Sequence, residues 1–173
     1  MVDPLGKATE EKDLVGKIQN FIAGFLGYYD RERRRDADKL LRETVVQRYE
    51  EQWSRISEIQ RQLVSEGQLE LMDDLEAAAI KLRGFIDRVK GAAHGYAGFF
   101  DVVRVKEEEL QKLYDFDLAL LEGVQTVVSA IDNLAASMGT DGQQAAIQHL
   151  VTVSQEAIDT YNRRGEVILA TGI

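Results

Sequence analysis

Cysteine is absent from the 173 residues, which removes disulfides, thiolate zinc sites and thiol nucleophiles from consideration. Proline occurs once, as Pro4, so no later position is closed to a helix by a missing N–H or a ring clash. Histidine occurs only as His94 and His149, and no Glu-x-x-His pair of the kind that metal-binding bundles use is present. Neither histidine has the neighbours of a zinc site. Early in the chain the most apolar run is Ile18–Tyr29, well short of the roughly 20 residues a membrane-crossing helix needs. The first residues lack a basic segment followed by an apolar one. No phosphate-binding glycine loop and no Gly-x-Ser-x-Gly occurs either. These absences lead us to expect no cofactor, no metal and no enzymatic activity, in a cytoplasmic protein.

Positive charge is also scarce, with 21 Lys and Arg against 30 Asp and Glu, a net of −9. Such a balance favours solubility and speaks against a protein built to hold nucleic acid. The excess is uneven. Met1–Glu66 holds twelve bases and thirteen acids, and no Lys or Arg stands between Lys112 and Arg163. An anionic partner would be met by the first third of the chain.

What the chain does have is helical periodicity almost throughout, with little strict alternation. The expectation is a single all-α domain over residues 1–173, an elongated bundle of four or five long antiparallel helices. Residues 1–8 read as disordered and 9–30 as an amphipathic first helix, with Leu14, Ile18, Phe21, Ile22, Phe25 and Tyr29 on its apolar stripe. A second helix runs from about Arg31 to Ser65 and could be continuous with the first. Ser65–Gln68 is a turn, with Gly67 suited to the left-handed position after a helix. A third helix covers about Leu69–Lys90 and a fourth about Lys106–Met138. The fourth is so apolar late in its length that it should be enclosed. The last covers Gln143 to about Leu169, with Asp141 as its N-cap.

One signature is written twice. "GFLGYYD" (Gly24–Asp30) and "GYAGFFD" (Gly95–Asp101) share Gly-x-x-Gly-aromatic-aromatic-Asp. Glycines three apart on a helix would bare one edge to a neighbouring backbone, and the aromatic residues would fill the seam. The two copies are therefore expected to meet at a close helix crossing, or to line a shared groove. Phe25, Tyr28, Tyr29, Tyr96, Phe99 and Phe100 are the candidate packing or binding anchors. Arg31, Arg33, Arg34 and Arg35 follow as an electrostatic rim, with Glu32, Asp36 and Asp38 spaced to neutralise them on a solvated face. The carboxylates of "KEEEL" and "YDFDL" carry no acid–base signature, and Asp115 and Asp117 point different ways.

The amphipathic first helix leading into long charged helices resembles the pattern of the phage-shock protein A type of bacterial membrane-stress protein. The resemblance implies a peripheral contact with the inner face of the membrane, made by the N-terminal helix. The sequence by itself favours a non-enzymatic interaction or scaffold protein, whose partner is another protein or a second copy in a homo-oligomer. The alternatives are the membrane-associated role and a small-ligand-binding bundle that uses the glycine–aromatic pocket.

Overall fold

The computed structural model describes residues 4–28, 33–92 and 107–170. Among them are five α-helices: α1 (Pro4–Gln19), α2 (Arg34–Ser65), α3 (Met72–Gly91), α4 (Glu107–Ser137) and α5 (Gln143–Ala170), with a short 3-10 turn at Leu69–Leu71 before α3. No strand occurs among the described residues. The chain is an all-α bundle, and α2 at 32 residues is about 48 Å long.

Successive helices pair as two antiparallel hairpins, α2 with α3 and α4 with α5. The hairpins then stack so that α2 lies along α4 and α3 along α5. Those two contacts run in the same direction. Lys81 reaches Gln155 and Arg88 reaches Asn162, so both chains advance together along α3 and α5. Tyr49 likewise meets Leu120, and Arg55 meets Asp132 further along α2 and α4. The middle of the bundle is an aromatic column drawn from three helices. Tyr49 and Phe85 lie 4.6 Å apart between ring centres, and Phe85 meets Tyr161 edge-on at 5.8 Å. Gly123 on α4 leaves room for the Tyr49 hydroxyl, which a Cβ there would meet at 3.0 Å.

Local signals explain the hairpin turns. Gly67 takes φ +73°, and Gln68 N–H returns to the Leu63 carbonyl, closing α2 as expected. At the α4–α5 turn Gln143 Oε1 accepts the Gly139 N–H at 3.0 Å and Thr140 Oγ1 accepts the Gly142 N–H at 3.3 Å, in place of the Asp141 cap expected. Val64, one turn before Gly67 and next to the buried Leu63, is 54% exposed.

The N-terminal part departs most from expectation. α1 begins at Pro4, inside the stretch read as disordered, and stops at Gln19 rather than running on to residue 29 or 30. Residues 20–28 form a non-helical strap with Gly24 at φ +88° and Gly27 at φ +80°. Helix there would set two glycines in its interior at about 1 kcal/mol each against alanine. Instead the strap's carbonyls are taken by side chains: Gln19 Nε2 donates to Phe25 O at 2.8 Å, and Arg48 donates to Phe21 O at 2.7 Å. α1 packs along α4, so Leu14 and Ile18 are covered within the chain. By length and composition α4 would serve to cross a bilayer, yet its apolar face is the one α1, α2 and α5 share.

Candidate functional site

The strap ends in Tyr28, a buried residue bonded through its N–H, its carbonyl and its hydroxyl. Tyr28 N–H donates to the Tyr114 hydroxyl at 2.6 Å, its own hydroxyl donates to Asp117 Oδ2 at 2.6 Å, and its carbonyl accepts Arg34 Nε at 2.6 Å. Its ring stacks on Tyr114 at 5.2 Å and meets Phe25 edge-on at 5.7 Å. Gly27 is required beside it. A Cβ on Gly27 would lie 2.7 Å from the Tyr114 hydroxyl.

Behind Tyr28 lies a closed charge cluster. Arg164 on α5 donates through Nε to Asp117 Oδ1 and through Nη2 to Asp38 Oδ1, each at 2.6 Å. Arg42 approaches the other oxygen of Asp38 at 2.8 Å. Arg164 and Asp117 are wholly buried and Asp38 nearly so. Desolvation pushes the Asp117 carboxyl up to about 6, against the pull of Arg164 and the hydrogen bond from Tyr28. For Arg164 desolvation opposes the charge, but Asp117, Tyr28 and Asp38 outweigh it, and its pKa stays well above the ordinary value. Tyr28 is raised well above 10 by desolvation and by Asp117, so it keeps its proton and donates it. The cluster joins the strap, α2, α4 and α5, and neither Arg164 nor Asp117 exposes any surface to solvent. It holds these elements together.

The residues singled out from sequence divide accordingly. Phe25 and Tyr28 are fully enclosed and pack against α4. Arg34, expected on a solvated rim, is buried with its guanidinium bonded to the strap, because the strap's turn brings the Tyr28 carbonyl over it. Arg33 and Arg35 are exposed as expected. Tyr29, Arg31, Tyr96, Phe99 and Phe100 lie outside the described residues, as does His94, so the meeting of the two glycine signatures does too. His149 is exposed on α5. Among the described residues no three His, Asp or Glu side chains converge as metal ligands would.

Comparison with protein families, curated proteins and solved structures finds no match. The site therefore has to be read from its own residues.

Asp38, expected on a solvated face, is buried because Arg164 and Arg42 draw its carboxylate inward. The sequence reading assigns no role to Asp117, Arg164 or Tyr114, although a signal exists. Each stands on the apolar stripe of its helix: Asp38 between Arg34 and Leu41, Asp117 between Leu113 and Leu121, Arg164 between Tyr161 and Ile168. Charges of opposite sign at core positions of different helices must pair or pay desolvation. That rule points to these three residues without saying which helix ends meet.

Outside the cluster, Leu26 stands 61% exposed at the crest of the strap. A cleft of about 320 Å³ lies on its α1 side and another of about 330 Å³ on its α2 side, the latter bordered by Arg33 and Asp36.

Proposed function

We propose that this chain is a non-catalytic helical bundle that acts by protein–protein contact through the crest of its strap. The observation that carries this reading is Leu26. It is a large apolar side chain left 61% exposed between two residues, Phe25 and Tyr28, that are fully buried. Those neighbours fix the strap's shape from inside, so little ordering remains to be done when a partner docks. An apolar anchor flanked by two hollows, one of them bordered by Arg33 and Asp36, suits a partner segment with an apolar side chain beside polar neighbours.

Self-association through α1 is disfavoured, since its apolar stripe is already covered by α4. A membrane-surface role for α1 would require Leu14 and Ile18 to leave that burial, at about 1.5–3 kcal/mol per side chain. The strap crest requires no such opening.

The test compares the full chain with Leu26→Asp and with Arg33→Glu, by sedimentation velocity and by affinity capture. A self-assembly or captured protein that is lost on Leu26→Asp and weakened by the arginine reversal is expected. Association unaffected by Leu26→Asp, or none by the unmodified chain, overturns the assignment.

A further inference from the structure

The cleft between α1 and the strap has features that the fold does not need. Gly16 lies in the interior of α1, where glycine costs about 1 kcal/mol against alanine. A Cβ placed on Gly16 meets no atom within 4 Å. This glycine makes no close approach and no left-handed turn, in contrast to Gly27. With Ala8 it lines the cleft, and its missing side chain leaves that space open.

The second feature is in the wall. Tyr114 is 1% exposed, and its hydroxyl accepts the Tyr28 N–H. Among the described residues no acceptor takes the proton of that hydroxyl. Burial pushes the phenol up to about 12, the Tyr28 hydrogen bond works against that shift and the charge of Glu11 adds to it, so the proton stays on the oxygen. A buried hydroxyl with an unused donor, in the wall of a cleft, is half of a hydrogen bond. Val15 and Leu26 supply apolar walls.

We propose that this cleft binds a small, neutral, apolar molecule carrying one hydrogen-bond acceptor, which the Tyr114 hydroxyl meets. Neutrality follows from the rim. Glu11 and Lys12 are adjacent and of opposite sign, and an anion placed at Tyr114 would feel Glu11. Size follows from volume, for about 320 Å³ is roughly twice the ~150 Å³ cavity that takes one benzene ring. A two-ring ketone fits both limits. The inference goes beyond the protein-contact reading, and its key variant, Gly16→Leu, leaves Leu26, Arg33 and Arg35 in place.

The test uses the full chain and prodan, a naphthyl ketone fluorophore whose emission moves to the blue in apolar surroundings. Saturable binding is expected, with affinity lowered at least about tenfold in Gly16→Leu, whose side chain occupies the cleft. Tyr114→Phe should weaken prodan about threefold to tenfold, the loss of one hydrogen bond. It should leave unchanged the affinity for dimethylnaphthylamine, which has the rings but no ketone. Ile80→Asp removes an exposed aliphatic residue elsewhere, 61% exposed on α3, and should change nothing. No saturable binding, binding equally strong in Gly16→Leu, or loss in Ile80→Asp overturns the proposal. Should Tyr114→Phe fail to fold, the Gly16→Leu comparison still decides.

Discussion

Arg164 and Asp117 face each other across α5 and α4 with Nε and Oδ1 2.6 Å apart, and neither exposes any surface to solvent. A buried pair of this kind contributes little net stability when intact, because desolvation offsets attraction, but it is costly to halve. Its value here is positional. It fixes which end of α5 meets α4, and through Tyr28 and Asp38 it fixes where the strap and α2 lie.

Arg164→Met should therefore destabilise the chain by about 3–5 kcal/mol near neutral pH, since it leaves buried carboxylates without their cation. Asp38 keeps Arg42, so the uncompensated group is mainly Asp117. Adding Asp117→Leu and Tyr28→Phe to Arg164→Met should recover most of the loss. Urea unfolding measures both, and a triple variant as weak as the single one would refute the account.

The pH dependence of stability carries a defined sign. Asp117 moves from 3.8 up to about 6 through burial, so between those values the folded chain holds a proton that the unfolded chain has released. Its contribution is fully present below about 3.8 and is lost as pH rises through about 6. Relative to Asp117→Asn, the unmodified chain should lose on the order of 3 kcal/mol across that window. Carboxyl-carbon NMR should place the Asp117 midpoint near 6; a midpoint at or below 3.8 would contradict this.

The two strap glycines should respond unequally to alanine. Both have positive φ, but space is open at Gly24 and closed at Gly27, where the Cβ meets Tyr114. Gly24→Ala should cost about 1 kcal/mol of backbone strain. Gly27→Ala should cost that and more, about 2–4 kcal/mol, because the hydroxyl that anchors Tyr28 is displaced. Thermal unfolding of the two variants provides the comparison, and equal losses would be the contrary result.

Helical glycines should also differ from each other. Gly16→Ala meets open space and should raise stability by about 0.5–1 kcal/mol. At Gly123 the same gain competes with the Tyr49 hydroxyl at 3.0 Å. Gly123→Ala should be less favourable than Gly16→Ala by about 1 kcal/mol, and the gap should close in a Tyr49→Phe background. A gap that persists without the hydroxyl would mean that the contact is not its cause.

The helical class, the turn at Gly67 and the lengths of α2, α3, α4 and α5 were legible in the sequence, because periodicity, turn glycines and the lack of internal proline are local properties that neighbouring residues set by themselves. The end of α1 was not. Phe21, Ile22 and Phe25 keep the helical spacing, so local pattern favours helix through residue 29. Hydrogen bonds to Arg48, Arg34, Tyr114 and Asp117, all distant in sequence, instead draw residues 20–28 into a strap. The same holds for the charge cluster: that Asp38, Asp117 and Arg164 occupy core positions can be read along the chain, but which of them meet depends on how the two hairpins stack. Periodicity along one helix determines which face is buried, and only the packing of several helices decides what that face is buried against.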